Sequence, residues 1–236
     1  MNYAIILAGG VGARVGADKP KQFIEVLGKP MMVYTLETFQ KSSAIDKIVL
    51  VCLEPYLDLA KKYCDDYKIS KVKFLVGGGD DFLSSFNNGI KALEEIIKDD
   101  DIVVITSADR PFISEEEIID SVEVCKIKGS GVAARPCSLC MFKTEGNKEY
   151  SSQYLRNSLL QTATPWSFKY KGLAEALKKY NNGELQNCES YPIAIYSAAG
   201  NDIFFSKLLP ENFKITESTD VLLMECILKQ KERTDE

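Results

Sequence analysis

Glycines and cations lie close together near the start of the chain, in a pattern that suits phosphate binding. Residues 9–12 hold three glycines (GGVG), and the cations Arg14, Lys19 and Lys21 follow. Glycine lets the backbone take positive φ and approach a ligand closely, and successive N–H groups in such a turn can bind an anion. We therefore predict a loop that neutralises a triphosphate. The alternative is a glycine turn followed by surface lysines.

Two common phosphate-binding motifs do not fit this loop. A P-loop requires a lysine directly after its last glycine, whereas Ala17 follows Gly16 here. The dinucleotide fingerprint G-x-G-x-x-G/A begins at Gly10 and Gly12, but Val15 stands at its third small position.

Two further polar loops follow predicted strands, at residues 77–85 (GGGDDFLSS) and 106–111 (TSADRP). Ligands of open α/β sheets bind beyond the carboxyl ends of the strands, so these loops are expected to meet residues 8–23 at one edge. Asp109 is the best candidate for a metal ligand, because Mg²⁺ takes one or two carboxylates together with substrate phosphates. Its alternative role is to shape the turn before Pro111.

Strand and helix patterns alternate along the rest of the chain, which predicts an α/β fold with a mostly parallel, doubly wound (Rossmann-like) sheet. We expect one domain over residues 1–236, with residues 136–155 as a protruding β-hairpin arm. Ser114 and Glu117 have the spacing of a capping box at a helix start. The predicted strands are 4–7, 46–52, 72–76, 101–106 and 203–205, and the predicted helices are 31–41, 56–67, 83–98, 114–128, 173–180, 189–199 and 219–231.

Composition excludes several classes of function. The chain of 236 residues has no histidine, which removes Ser-His-Asp hydrolysis, Cys-His catalysis and histidine-ligated metals. A net charge of -5 argues against a nucleic-acid partner. No apolar run approaches the roughly 18–20 residues that span a bilayer, and the N-terminus leads directly into a core strand. We expect no membrane partner and a cytoplasmic location.

The seven cysteines are odd in number and fall mostly in predicted strands or helices. We predict that they are small buried hydrophobes rather than a disulfide framework. Cys137 and Cys140 form a lone C-x-x-C, for which zinc or redox chemistry is the alternative.

The string LAGGVGARVGADKPKQF (residues 7–23) resembles the loop of the sugar nucleotidyltransferase superfamily. Its PKQF ending is similar to that of the 2-C-methyl-D-erythritol 4-phosphate and ribitol-5-phosphate cytidylyltransferases. This resemblance implies transfer of CMP from CTP to a small phosphorylated acceptor, with release of pyrophosphate. It also implies Mg²⁺ as cofactor and a homodimer. The acceptor phosphate would attack the α-phosphorus in line, so that catalysis is positioning and charge neutralisation without a protein nucleophile.

The same resemblance implies roles for single residues. Arg14, Lys21 and Lys214 (in NFKIT, 212–216) are expected to stabilise charge on the α-phosphate and the departing pyrophosphate. Asp109, in an Asp-x-Pro turn, is expected to bind the metal. The acceptor phosphate is expected to contact Arg156 and Thr164. The expected nucleotide contacts are Leu7, Ala8, Gly9, Gly10, Gly12, Gly79, Asp80, Ser85 and Ala108.

The chain departs from this family mainly where the acceptor would bind. The usual H-D-A-A-R-P reads TSADRP here, and Asp81-Phe82 replaces an expected arginine. The other departures are Leu139-Cys140, Phe142 and Cys188-Glu189. We therefore expect a phosphorylated or phosphonylated acceptor other than methylerythritol phosphate. Two alternatives stay open: a nucleotidyltransferase that uses another nucleotide with a sugar-1-phosphate, and a non-catalytic relative that binds nucleotide.

Overall fold

The structure, a computed structural model, describes residues 1–10, 19–144 and 150–234. Arg14 and Gly12 of the predicted phosphate loop lie outside these residues. The strands are β1 (Asn2–Ala8), β2 (Glu25–Val26), β3 (Lys29–Pro30), β4 (Lys47–Cys52), β5 (Val72–Gly77), β6 (Ile102–Ser107), β7 (Ser130–Pro136), β8 (Phe142–Thr144), β9 (Tyr150–Gln153), β10 (Leu160–Lys169) and β11 (Phe205–Lys207). The helices are α1 (Met31–Lys41), α2 (Leu57–Asp66), α3 (Phe82–Lys91), α4 (Glu115–Lys128), α5 (Tyr170–Asn181), α6 (Pro192–Ala198) and α7 (Ser218–Thr234), with short 3-10 helices at Lys21–Phe23, Glu54–Tyr56 and Arg156–Ser158.

The main sheet has the strand order β11-β7-β10-β6-β1-β4-β5. Strand β1 lies parallel to β4 and β6, with Ile5 opposite Val49 on one side and Ile105 on the other. Strand β10 runs antiparallel to both β6 and β7. Strands β2 and β3 pair with each other, as do β8 and β9, outside the main sheet. The α/β fold with a mostly parallel sheet and a separate hairpin agrees with the prediction.

Both faces of the sheet are covered, which explains the uninterrupted apolar runs of β1, β4 and β6. Ala4 and Ile6 pack on one face against side chains of α1, α2 and α4. Ile5 and Leu7 pack on the other face against α3, α5 and α6. Alternate residues of one strand therefore belong to two apolar cores, and the strand itself is almost completely buried.

Helices with clear end signals begin and end as predicted. Helix α1 spans the predicted 31–41. Helix α4 begins with the predicted capping box: Ser114 Oγ accepts the Glu117 N–H at 3.1 Å, and Glu117 Oε2 accepts the Ser114 N–H at 2.9 Å. Gly129, in the left-handed conformation, ends this helix.

The predicted helix 83–98 is too long. Helix α3 ends at Lys91, and turns follow. Leu93 and Ile97 still pack in the same apolar core from these turns. Their helix-like spacing therefore reflects burial against the sheet rather than a continued helix.

Strands β7 and β10 were not among the predicted sheet strands, and β11 shares only Phe205 with the predicted strand 203–205. Pro165 lies inside β10 and Pro136 is the last residue of β7, and proline argues against a strand in a sequence pattern. The Thr164–Pro165 peptide bond is cis, and the pairing of β10 with β7 is irregular between Thr162 and Trp166. An irregular antiparallel strand thus sits within the otherwise parallel sheet.

The prediction that the cysteines are buried is correct for three of the seven and wrong for the others. Cys52, Cys64 and Cys125 are buried, whereas Cys137 and Cys188 are half-buried and Cys140 and Cys226 are exposed. Cys137, Cys140 and Cys188 lie in loops and Cys226 lies on α7; of these four, Cys188 packs at the edge of an apolar core. None of the helices in residues 1–10, 19–144 and 150–234 has the length and hydropathy needed to cross a lipid bilayer.

Candidate active site

The loops after β1, β5 and β6 meet at one cleft of about 480 Å³. This edge carries the carboxyl ends of parallel strands, where ligands bind in open α/β sheets. The cleft is lined by Leu7, Gly9, Gly10, Leu53, Gly79, Asp80, Asp81, Phe82, Ser85, Ser107, Asp109 and Lys214. Segments that are distant in the sequence are therefore neighbours in space.

Glycines allow the first two loops to pack backbone to backbone. A Cβ on Gly9 would lie 3.3 Å from the Ser85 hydroxyl oxygen, and one on Gly78 would lie 3.3 Å from it and 3.5 Å from the Cys52 carbonyl oxygen. The Gly79 N–H donates to Ser85 Oγ at 3.0 Å, and Ser85 is buried. Larger residues would force the two loops apart and widen the cleft.

The start of α3 fixes the second loop. Asp81 Oδ1 accepts the Ser84 N–H at 2.7 Å, and the Ser84 hydroxyl accepts the Asp81 N–H at 2.9 Å. Hydrogen bonds from Ser84 lower the pKa of the Asp81 carboxyl. Because Asp81 caps the helix, the exposed carboxylate of Asp80 is the one left to face a ligand in the cleft.

Asp109 lies between two lysines. Its Oδ2 is 2.6 Å from Lys21 Nζ and 3.7 Å from Lys214 Nζ. Its Oδ1 accepts the Ser107 hydroxyl at 2.5 Å. Lys21 and Asp109 are buried, whereas Lys214 is half-exposed at the cleft. We call Lys21, Asp109 and Lys214 the charged cluster. Asp109 and Lys214 line the cleft, and Lys21 is buried against Asp109.

Lys21 is held in place by its neighbours in the PKQF string. The Gln22 side-chain amide donates to the carbonyls of Ala8 at 2.6 Å and Gly10 at 3.0 Å, which ties this short 3-10 helix to the end of β1. The Phe23 ring stacks on Tyr56 at 4.7 Å. The two residues that follow Lys21 in this string therefore fix the short helix that carries it.

The segment around Lys214 is joined to the other two members of the charged cluster. The Ile215 N–H donates to the Asp109 carbonyl at 2.9 Å, and Lys21 Nζ donates to the Ile215 carbonyl at 2.6 Å. Hydrogen bonds of the Ile215 main chain thus reinforce the ion pairs.

Several residues named from the sequence line this cleft or support it. The cleft is lined by eight of them: Leu7, Gly9, Gly10, Gly79, Asp80, Ser85, Asp109 and Lys214. Lys21 is not part of the lining but forms an ion pair with Asp109. Ala8 and Ala108 are buried beside it: the Ala108 N–H donates to the Leu7 carbonyl at 2.9 Å.

The two residues expected to bind the acceptor lie elsewhere. Thr164 is buried, and its hydroxyl pairs with that of Thr106 at 2.8 Å. Arg156 is exposed on a 3-10 helix that precedes β10. Neither lines the cleft, and their roles stay predictions.

Sequence reasoning did not single out Ser107, Gln22 or Phe82 as contributors to the site. Gln22 lies in the PKQF string and Ser107 in the TSADRP string, so the sequence placed both of them next to residues that were predicted to form the site. Phe82 lines the cleft, and its ring lies 6.2 Å from Trp166 and 5.2 Å from Tyr191. The Trp166 indole N–H is buried and has no partner among the described residues.

A sequence profile described as 2-C-methyl-D-erythritol 4-phosphate cytidylyltransferase matches residues 2–230. This chain belongs to that family. The prediction of a nucleotidyltransferase enzyme of the cytidylyltransferase type is thereby confirmed.

Relatives within the family carry two different names. A protein of Lacticaseibacillus paracasei, named ribitol-5-phosphate cytidylyltransferase, is 34% identical over 98% of this chain and 100% of its own length. A protein of Clostridium acetobutylicum, named 2-C-methyl-D-erythritol 4-phosphate cytidylyltransferase, is 33% identical over 98% of both chains. The fold is shared with the crystal structure of 4-diphosphocytidyl-2C-methyl-D-erythritol synthase from Anaerococcus prevotii, which has a TM-score of 0.80, 21% identity and coverage of 97% of this chain and 96% of that one.

Proposed function

We propose that this enzyme transfers CMP from CTP to a small phosphorylated polyol and releases pyrophosphate. The observation that carries the proposal is the charged cluster beside a glycine-lined cleft. It supplies two cations close to the position that a triphosphate would take beside Gly9 and Gly10.

The cleft suggests how CTP is oriented. Gly79, Asp80 and Ser85 would receive the cytosine, because main-chain groups and a carboxylate can pair with the edge of a pyrimidine. The phosphates would then extend toward Lys21 and Lys214. An acceptor phosphate oxygen attacks the α-phosphorus, a new P–O bond forms, and the bond to pyrophosphate breaks. Lys21 and Lys214 stabilise the charge that grows on the α-phosphate and leaving group. Arg14, outside the described residues, is proposed to act with them.

The donor set of the cleft fits a magnesium ion that arrives with the nucleotide. No cluster of three or more acidic or cysteine side chains that would make a metal cage lies within residues 1–10, 19–144 and 150–234. Asp109 supplies one carboxylate, and Mg²⁺ commonly binds one or two carboxylates together with substrate phosphates. We propose that Asp109 holds Mg²⁺ against CTP, where the ion would neutralise phosphate charge.

The acceptor is proposed to be a phosphorylated polyol other than methylerythritol phosphate. Identity over the full length does not choose between the acceptors, since a relative of each name is 34% and 33% identical to this chain. The departures from the family strings favour an acceptor other than methylerythritol phosphate. Asp81-Phe82 stands in place of an expected arginine, and the Phe82 ring lines the cleft with Tyr191 packed against it. Arg156 and Thr164 remain the proposed contacts of the acceptor phosphate.

The test is CTP-dependent pyrophosphate release with Mg²⁺ over a panel of polyol phosphates, sugar phosphates and phosphonates. We expect turnover with one polyol phosphate and a loss of roughly a hundredfold or more in Lys21→Ala. Lys62→Ala is the matched control, because Lys62 forms an exposed ion pair with Asp66 on α2. Fastest turnover with methylerythritol phosphate would refute the acceptor assignment. CTP binding without turnover on any acceptor would favour the non-catalytic alternative.

We further propose a homodimer in the cytoplasm. Apolar side chains around the hairpin are exposed, among them Leu139, Met141 and Leu155, and such patches mark protein contacts. All seven cysteines are free, as expected in a reducing compartment.

A further inference from the structure

Glu117 is a completely buried carboxylate that does not line the cleft. One of its oxygens has a local role at the start of α4. Oε2 accepts the Ser114 N–H at 2.9 Å and the Ser114 hydroxyl at 3.0 Å. A capping box needs no more than this, so the second oxygen is available for another purpose.

The second oxygen holds a distant segment of the chain. Glu117 Oε1 accepts the Leu209 N–H at 2.9 Å and the Asn212 side-chain amide at 3.0 Å. The same amide nitrogen of Asn212 donates to the Thr164 carbonyl at 2.9 Å. Arg110 Nη1 donates to both the main-chain and side-chain oxygens of Asn212 at 3.2 Å. Asn212 is buried, and both its main chain and its side chain form hydrogen bonds.

The held segment carries Lys214 into the cleft. Residues 212–216 form neither helix nor strand, so no regular hydrogen-bond pattern fixes them. They are fixed instead at one end by Asn212 and at the other by Ile215, whose N–H bonds the Asp109 carbonyl. Lys214 lies between these two anchors and places its Nζ 3.7 Å from Asp109.

The charges around this anchor are balanced. The Glu117 carboxylate would be costly to bury alone, and hydrogen bonds to each of its oxygens offset that cost. Burial lowers the pKa of the Arg110 guanidinium, while the carboxylates of Asp109 and Glu117 oppose that shift. Removing the Asn212 amide would leave Oε1 with only the Leu209 N–H and free the start of the segment.

We propose that Glu117 and Asn212 are positioning residues that set Lys214 for catalysis. The inference rests on the proposed function, in which Lys214 stabilises charge at the α-phosphate. A displacement of about 1 Å at a catalytic group lowers rates by about a hundredfold, so loosening this anchor should lower turnover without removing any group that touches substrate.

The experiment is a double-mutant cycle between Asn212→Ala and Lys214→Gln, measured as kcat with CTP and the best acceptor and as the Kd of CTP by calorimetry. Each single variant is expected to lower kcat, with Asn212→Ala reduced roughly ten- to hundredfold. In the Lys214→Gln background, Asn212→Ala should cause less than about a twofold further loss, because residues that act through one another are not additive.

Two controls separate positioning from general stability. Asn182→Ala removes an exposed asparagine–glutamate hydrogen bond of 2.9 Å and should leave kcat unchanged. Ser130→Ala removes a buried hydroxyl that donates to the Asp202 carbonyl at 2.9 Å, and it should lower the melting temperature, with kcat retained below it. If Asn212→Ala fails to fold, Asn212→Ser keeps one donor and should give an intermediate kcat.

The outcomes distinguish the two levels of the proposal. Full additivity of the two losses, or unchanged kcat in Asn212→Ala, overturns the positioning role and leaves the proposed function standing. Unchanged turnover in Lys214→Gln removes the catalytic role of Lys214, and the positioning role with it.

Discussion

The carboxylate of Asp109 pairs with both Lys21 and Lys214. Its position in residues 106–111 differs from that of the aspartate in the H-D-A-A-R-P string that this segment resembles. Thr106 and Ser107 stand where a histidine and an aspartate were expected, yet an acidic side chain still reaches the cleft from the same loop. The Ser107 hydroxyl fixes that carboxylate at 2.5 Å. A shift of two positions along a turn therefore keeps the negative charge in the cleft.

Replacing Asp109 by asparagine should lower turnover and raise the Mg²⁺ concentration required for half-maximal activity. The substitution keeps the shape but removes the charge that holds Lys21 and would hold the ion. We expect a loss of roughly a hundredfold in kcat, typical of removing an electrostatic contact in a site. The measurement is pyrophosphate release at increasing Mg²⁺.

Asp100→Asn provides the control for Asp109→Asn, since Asp100 is exposed in a loop before β6. An Asp109→Asn enzyme with reduced turnover but an unchanged Mg²⁺ requirement would contradict the metal role. It would leave Asp109 as a counter-ion for the lysines.

At the scale of elements, the sequence was informative wherever local signals agree with tertiary packing. The capping box marks the start of helix α4 and Gly129 marks its end, so both ends can be predicted from nearby residues. Strand β10 has none of these advantages, because Pro165 lies inside it and its partners are remote in sequence. The contact of Glu117 with Asn212 was equally hidden: the capping box accounts for Glu117 locally, and only the folded chain brings residue 212 beside it.

The hairpin and its flanks should mediate self-association. Leu139 and Leu155 are 64% and 70% exposed, which is unfavourable for leucine unless another surface covers it. The double variant Leu139→Asp/Leu155→Asp is expected to convert a dimer to a monomer, as measured by light scattering coupled to size exclusion at several concentrations.

Ile127→Asp is the matched control for this variant. Ile127 is 78% exposed on α4 and lies away from the hairpin. A monomeric wild type would disprove the dimer, and dissociation by Ile127→Asp as well would point to a general loss of stability.

For the whole molecule, the order of strands decides which loops meet. Strand β1 lies between β4 and β6, and β5 follows β4, so loops from three separate regions reach one edge. Alternation of strands and helices predicted this arrangement in outline. The placement of Arg156 and Thr164 could not be deduced, because it depends on the antiparallel strand β10 and on the irregular pairing within it.

Stability should fall at alkaline pH because of the buried thiols. Burial raises the pKa of Cys52 and Cys125 to about 12 and that of Cys64 to about 11, from 9.0. Because the pKa of each thiol is higher in the folded state than in the unfolded state, the buried thiols contribute fully to stability below pH 9. Above pH 9 the thiols of the unfolded chain ionise first, and this contribution to the free energy of unfolding is lost. Each thiol lowers the free energy of unfolding by up to about 1.4 kcal/mol per pH unit in that range.

Urea denaturation at pH 8, 9 and 10 would measure this effect, with Cys226→Ala as control, since Cys226 is exposed. Cys125→Ala should reduce the dependence on pH, whereas the control should not. A free energy of unfolding that is constant up to pH 10 would contradict the prediction.

The aromatic contacts beside the cleft make intrinsic tryptophan fluorescence a probe of ligand binding. Trp166 is the single tryptophan of the chain, and its ring neighbours Phe82, which lines the cleft. A ligand bound in the cleft beside Phe82 changes the surroundings of this one indole, so its emission follows binding without any attached dye. Rapid mixing with CTP or with the acceptor would then resolve the rate of ligand entry separately from the chemical step.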